Sequence, residues 1–406
     1  MAESHLPAVG RREFLQAGVA ASAAAASLAV GPGSSFAADE PAQDNKPVLP
    51  KRALGKTGVE VTMLNQGTVG QPDALERLLR VAYREGVRYF DTAAGYRNAE
   101  KVFGEWFKAA PEVRKSIFLA TKSDITGQPS DMLKVIDTRL ERLNTDYIDL
   151  LFFHQLSTEH ADWPRSPEMA KAVEAIKKTG KVKLVGFSTH DPSIADQIKN
   201  AAEGGFVDVI MLKFNPWLDK DSPLNKALDA AHKANIGLVS MKQIAGQALK
   251  VTEDRVPTLK ARGLTPVQGL LHAIWSDQRF SATCVTMRNL EQTRENVDAA
   301  RRFEPLKQAE LDELRQAVLA AGPTLCPNCD GRCSAAAGTK ASLCDLTRFY
   351  TYHEDHGIRG YARDCYAGLS DAEINWKGAD LEAARQACHH KIDFAKILPE
   401  VDRLLG

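Results

Sequence analysis

The chain has 406 residues, 44% hydrophobic and 26% charged, with 52 Lys+Arg against 52 Asp+Glu. That composition excludes disordered and collagen-like chains and belongs to a folded protein of enzyme size. A formal net charge of zero, without a long basic run, leaves no electrostatic footprint for nucleic acid. No stretch of roughly 18 strongly apolar residues reads as an ordinary membrane span, so a stable span in the mature chain is not expected. The length leaves room for one domain of about 250 residues and an extra module. Cysteine use is uneven. Cys284 stands alone, whereas Cys326, Cys329, Cys333, Cys344, Cys365 and Cys388 crowd the C-terminal part. That points to a cofactor or cross-link module there.

Residues 1–37 read as an address. Arg11 and Arg12 precede Phe14-Leu15, and a mild apolar run follows from Ala17 to Val30. The breakers Gly31, Pro32 and Gly33 come next, then Ser35 and Ala37, small residues at the two positions a signal peptidase needs. The arginine pair resembles the bacterial twin-arginine signal, which implies export of a folded, cofactor-loaded protein to the periplasm or beyond. An Ala-rich helix is the plainer alternative. It does not explain the order of arginine pair, apolar core and exit site. Residues 38–50 are polar and Pro-rich and read as a linker.

From there apolar runs recur: VTMLNQG near Val61, VRYFDTA near Val87, SIFLATK from Ser116 and YIDLLFFH from Tyr147. VKLVGFSTH from Val182, VDVIMLKFN from Val207, IGLVSMKQI from Ile236 and SATCVTM from Ser281 complete the series. The runs are continuous rather than alternating, as strands buried on both faces of a parallel sheet require. Helical patterns separate them. Leu75, Leu78, Leu79 and Ala82 share one helical face, with Asp73 placed to cap it and Gly86 to end it. Similar stretches fall at about 98–109, 130–143, 167–179, 193–203, 222–234, 265–276 and 289–302. The expected fold is α/β, a closed (β/α)8 TIM barrel over 51–305, with a mainly helical Cys-rich extension over 306–406. A doubly wound open sheet would carry a glycine fingerprint after its first strand, and none is present.

In such a barrel the chemistry sits at the C-terminal ends of strands. Polar residues interrupt the apolar runs there: Asp91 and Tyr96 in YFDTAAGYRNAE, Lys122 in ATKS, His154 in LLFFHQ. A carbonyl that receives hydride needs a proton on its oxygen. A tyrosine, with pKa ordinarily about 10, can supply it if a nearby cation lowers that value. Lys122 is that cation, Asp91 holds it, and His154 orients the oxygen and helps to pass the proton. Singly, each residue has a plain structural reading: a loop cap, a packing ring, a solvated strand end, a core histidine. Together, at successive strand ends, they read as one constellation.

This pattern resembles the aldo-keto reductase family over about residues 51–305, through DTAAGYRNAE, Lys122 and YIDLLFFH. The resemblance implies reversible reduction of a small carbonyl, or oxidation of an alcohol, with NADP or NAD lying across the barrel mouth. It also implies cofactor-binding positions. Ser188 and Thr189 fall where a Ser-Asn pair often holds the carboxamide, and Thr189 replaces Asn. Phe214 and Asn215 in KFN put an aromatic where a ring often stacks on nicotinamide, and Met211 stands where Gln is common. Gln292, Glu295 and Asn296 match adenine-side contacts. The basic residue that often grips a 2′-phosphate falls near Thr286, with Arg288 as a substitute, so NADP and NAD both stay open.

The tail begins CPNCDGRC. Its C-x2-C-x3-C spacing is close to the ferredoxin C-x2-C-x2-C but not the same. Some bacterial aldo-keto reductases carry an iron–sulfur tail. That resemblance implies a 4Fe-4S cluster on Cys326, Cys329, Cys333 and Cys388, with Cys344 or Cys365 as substitutes. Zinc on the same thiolates with His389 or His390, and a set of three disulfides, are alternatives. The aromatic segment between Cys344 and Cys388 reads as helical packing. Two functions follow: an exported nicotinamide oxidoreductase, or an iron–sulfur electron carrier with a redox partner on a barrel that no longer turns over nicotinamide.

Overall fold

The computed structural model describes residues 47–70, 74–124, 131–191, 193–244, 250–321, 331–355, 357–388 and 391–406. The signal segment, Asp73, Cys326, Cys329, His389 and His390 lie outside the described residues.

A short antiparallel hairpin comes first, β1 (Lys51–Ala53) and β2 (Glu60–Thr62). Eight parallel strands then close into a barrel: β3 (Leu64–Gln66), β4 (Tyr89–Asp91), β5 (Phe118–Asp124), β6 (Ile148–His154), β7 (Val182–Thr189), β8 (Val209–Lys213), β9 (Gly237–Met241) and β10 (Phe280–Val285). Neighbours follow chain order, and β10 closes on β3 through Thr283↔Leu64 and Cys284↔Asn65. The run near Val61 therefore divides. Its first part pairs backwards with β1, and only Leu64–Gln66 joins the barrel.

Alternate residues of each strand serve two cores. Tyr89, Leu150, Phe152, Val209 and Val239 fill the barrel interior, with Leu54 and Val61 of the hairpin packed in the same cluster. Phe90, Leu151, Val185, Ile210 and Leu238 face the outer helices. Burial on both faces is why the runs are continuously apolar. The hairpin seals the end of the barrel where strands begin. Gly55, at φ +55, lies so close to Asn235–Gly237 that a Cβ there would be 2.4 Å from the Gly237 nitrogen.

The helices start where local chemistry tells them to. Ser166, Ser222 and Thr265 each accept a hydrogen bond from the backbone N–H three residues on, and each is followed by proline. Oxygen caps an orphan donor, and proline supplies the helical φ where no N–H is needed. The helix Leu75–Arg84 differs: its N-cap is Ala74, at φ +55, with no side-chain cap. Gly86 follows it at φ +95, as the pattern required.

Two boundaries move. The linker is expected to run through residue 50, but Leu49 is already buried and its N–H bonds Gly86 O. The barrel unit is expected to end at 305, but the helix Gln308–Ala320 packs Leu314 and Val318 against Leu259 and Leu270 of the outer layer. The tail's own core starts later. It joins the helices Arg332–Ala336, Leu343–Glu354, Arg359–Ala367, Leu381–Ala387 and Phe394–Leu405 around Leu346, Phe349, Phe394 and Leu398. Among the described residues no helix is long and apolar enough to cross a membrane.

Candidate functional site

Strand register brings the four expected residues to one end of the barrel. Asp91 ends β4, Lys122 lies in β5 and His154 ends β6. Asp91 is paired with Ala120, Lys122 with Phe152, and Asp124 with His154. Tyr96 reaches in from the loop after β4. Lys122 Nζ makes a short ion pair with Asp91 Oδ1 and donates to Thr92 O at 3.0 Å. The same ammonium lies 5.2 Å from the centroid of the Tyr96 ring. Tyr96 meets His154 edge-on, centroids 5.8 Å apart at 82°. His154 Nδ1 is 3.1 Å from Asp124 Oδ1.

The electrostatics correct one expectation. Burial pushes the Tyr96 phenol well above its ordinary range, reinforced by Tyr361 and Asp91. The Lys122 ammonium, paired with Asp91 and bonded to Thr92 O, does not outweigh that burial. Tyr96 therefore keeps its proton, the form an acid needs. Burial also raises the Asp91 carboxyl while Lys122 pulls it back. Cys284, on β10, neighbours Asp91, and burial pushes its thiol up as well. His154 is held below its ordinary value by burial, against the opposing bond from Asp124. The His154 bond in turn lowers Asp124. An ionised Asp124 fixes the proton on Nδ1 and leaves Nε2 as an acceptor.

Two spaces open beside Tyr96. The first is apolar along Met211, Met241 and Ile244, and runs from Lys122 towards Thr286 and Arg288. The second is a cleft of about 310 Å³ shared by Tyr96, Asp124 and His154 with Arg348, Tyr352 and Tyr361 of the tail. Thus the tail forms part of the mouth. Ile358 closes on Gly70, which sits at φ +69 with room for no Cβ: that atom would be 2.9 Å from Ile358 Cγ2.

The expected cofactor residues divide. Arg288 lines the first space, donates from Nη2 to Val69 O at 3.1 Å, and receives Gln292 Oε1 on its backbone N–H. Phe214 does not face that space. Its ring packs on Phe280 at 4.2 Å within the layer between barrel and helices, and Met211 and Met241 line the wall instead. Ser188 and Thr189 spend their hydroxyls on Gln155 N and Leu156 O. Asn215 caps a turn at Trp217 N. Glu295 accepts from Thr265 Oγ1 at 2.6 Å, so it faces the neighbouring helix, and Asn296 is buried. A nicotinamide fits the first space in chemistry: an apolar wall for a flat ring, a buried Gln243 Oε1 without a partner, and a guanidinium at the far end.

In the tail, Cys333, Cys344 and Cys388 are buried in one core. Among the described residues no three His, Cys, Asp or Glu side chains are grouped so as to hold a metal. Cys365 and Cys388 are in no disulfide, so the three-bridge alternative is not the arrangement found.

Sequence reading missed Asp124, Lys242, Arg348, Tyr352 and Tyr361. Lys242 was within reach, since it interrupts the end of the seventh barrel run as Lys122 interrupts the third. Nothing local marked the tail residues.

Fold and site together define a closed (β/α)8 barrel with a tyrosine, a lysine–aspartate pair and a histidine at its mouth. The sequence profile of the Aldo/keto reductase family matches residues 62–270, and the chain belongs to that family of oxidoreductases. It is 27% identical over 287 residues to the L-galactose dehydrogenase of Arabidopsis thaliana, covering 63% of this chain and 89% of that protein. It is 28% identical over 199 residues to the aldo-keto reductase str7 of Strobilurus tenacellus, covering 47% and 56%. A crystal structure of a thermostable aldo-keto reductase with the inhibitor epalrestat shares the fold at TM-score 0.55 and 22% identity, covering 66% of this chain and all of that one.

Proposed function

We propose that this protein moves a hydride between a nicotinamide cofactor and a small carbonyl or alcohol, with Tyr96 as the general acid/base. The observation that carries the reading is Tyr96 held protonated over the Lys122–Asp91 pair at the open end of the barrel. NADP or NAD bound along Met211, Met241 and Arg288 would supply the hydride. In reduction, the carbonyl carbon gains that hydride and Tyr96 gives its proton to the oxygen, leaving an alcohol. Lys122, one ring-width away, stabilises the phenolate that remains. His154, neutral and with Nε2 free to accept, orients the tyrosine hydroxyl or the product alcohol. Replacing Tyr96 by Phe should cut turnover about 10²–10⁴-fold while nicotinamide still binds; full activity in that variant would sink the reading. The intact Asp91, Tyr96, Lys122 and His154 set favours an enzyme over an electron carrier on an idle barrel.

We also propose export through the twin-arginine route by residues 1–37, and a 4Fe-4S cluster on Cys326, Cys329, Cys333 and Cys388. Burial of Cys333 and Cys388 in the same core, on helices that pack together, supports a shared ligand shell. Protein purified without oxygen from the export route should carry about four irons per chain and a broad visible band. Iron-free protein holding zinc would assign the thiolates to that metal instead.

A further inference from the structure

The cleft on the His154 side of Tyr96 contains charges that the proton chemistry does not use. Arg348, from the tail helix Leu343–Glu354, lines it alone of the two spaces, and Lys242, after β9, stands where the two spaces meet. The Arg348 side chain is only 4% exposed. Its Nη2 pairs with Asp345 at 2.5 Å, but Nε and Nη1 are buried with no hydrogen-bond partner. Buried donors in folded proteins are seldom left so, because each unmet one costs free energy. Lys242 is held at φ +62, a conformation that residues other than glycine rarely adopt and that persists only where surroundings impose it. Burial, and then Arg348 and Lys213, push its amine well below the ordinary range, and His190 beside them is depressed for the same reasons. In this cleft the buried Arg348 and the half-buried Lys242 share one half-buried carboxylate, Asp345. Asp124 and Asp364 sit at the solvent-exposed rim. Such a concentration of buried like charge is relieved by an anion.

We propose that this cleft is an anion subsite for the substrate, in which Arg348 and Lys242 hold a carboxylate or phosphate on the carbonyl compound whose reacting end lies at Tyr96 and His154. The proposal rests on the reductase reading above and adds the substrate class: a small oxo-acid or a phosphorylated aldehyde. A planar guanidinium with two open donors matches two oxygens of either anion. The cofactor's own phosphates are the other source of such chemistry. They are assigned to the Arg288 side, because Arg348 borders the cleft with His154 and not the space lined by Arg288.

The test uses the full chain, wild type against Arg348→Met and Arg348→Lys, with near-ultraviolet circular dichroism to confirm folding. Calorimetric binding of succinate and of inorganic phosphate is measured with saturating NADP present. Reduction of succinic semialdehyde is compared with that of butyraldehyde. The expected result is anion binding that falls about 10- to 100-fold in Arg348→Met and partly returns in Arg348→Lys. The charged-to-neutral ratio of kcat/KM should fall by a similar factor, through KM. Unaltered anion binding in Arg348→Met, or anion displaced by NADP, overturns the subsite. Should wild type reduce neither aldehyde yet lose succinate on Arg348→Met, the subsite stands and the reductase reading fails. Should both aldehydes be reduced with an unchanged ratio, the subsite fails and the reductase reading stands. If Arg348→Met does not fold, Lys242→Met must show the same loss of anion affinity.

Discussion

The mouth of the barrel has two walls made in different ways. The wall bearing Asp91, Lys122 and His154 comes from neighbouring strands whose hydrogen-bonded register sets each side chain's height. The wall bearing Arg348, Tyr352 and Tyr361 comes from a tail with its own core, folded back over the opening. The first wall is built of short-range steps along the chain, each strand end followed by a helix that returns to the sheet. The second depends on contacts between segments far apart in sequence. One polypeptide thus sets Asp91, Lys122 and His154 on the barrel frame and Arg348 on a separate piece.

That contrast can be broken from the barrel side with the largest effect. Lys122→Met leaves the Asp91 carboxylate buried without its partner, and the loss should be about 3–5 kcal/mol of stability. Urea unfolding monitored by far-ultraviolet circular dichroism checks it. The wider wall of the tail is tested by Leu346→Ala, which empties part of a fully buried contact and should cost about 2–5 kcal/mol. If the tail is a cooperative unit of its own, its aromatic near-ultraviolet signal will be lost at lower urea than the barrel's helical signal. A single coincident transition would merge the two walls into one folding unit.

A smaller effect lies at the outer layer. Thr265→Ala removes the cap of the helix Pro266–Ser276 and the bond to Glu295, and should cost about 1 kcal/mol. Glu295→Gln in the same assay should lose less, because the cap bond to Gln268 N survives. A binding role for Glu295 would instead show as weakened cofactor affinity at unchanged stability.

The finest probe is pH. His190 is held below its ordinary value by burial and by Arg348, Lys242, His154 and Lys213, and Asp345 Oδ1 stands 3.9 Å from its Nδ1. The unfolded chain takes up that proton near pH 6.5, whereas the folded chain resists until lower pH. Stability therefore declines as pH falls below about 6.5 and levels off only under the depressed folded value. Replacing His190 by Gln should flatten this slope in thermal melts between about pH 7.5 and 5. An unchanged slope would shift the origin to His154.

Much of the barrel was legible along the chain. Continuous apolar runs marked strands with two buried faces, and apolar residues at helical spacing marked the helices between them. The gathering of Asp91, Tyr96, Lys122 and His154 at one end of the barrel was legible too, because a charged or aromatic residue at the end of a buried strand has few structural reasons to be there. The same rule, applied to the seventh run, reaches Lys242. It does not separate Phe214 from a pocket residue. The side of the sheet on which the first residue beyond β8 lands depends on how the strand leaves the barrel, and here the ring turns outward onto Phe280.

What the sequence determined by itself was local: the alternation of strand and helix, the closed parallel sheet it implies, and the order of Asp91, Tyr96, Lys122 and His154 around its open end. What only the tertiary structure decided was long-range. The return of the tail to the mouth sets Arg348 across from His154. Lys122 pairs with Asp91, and burial outweighs that cation in setting the direction of the Tyr96 phenol. Spacing along a chain carries periodicity and register, but desolvation and the meeting of distant charges depend on which surfaces the folded chain brings together.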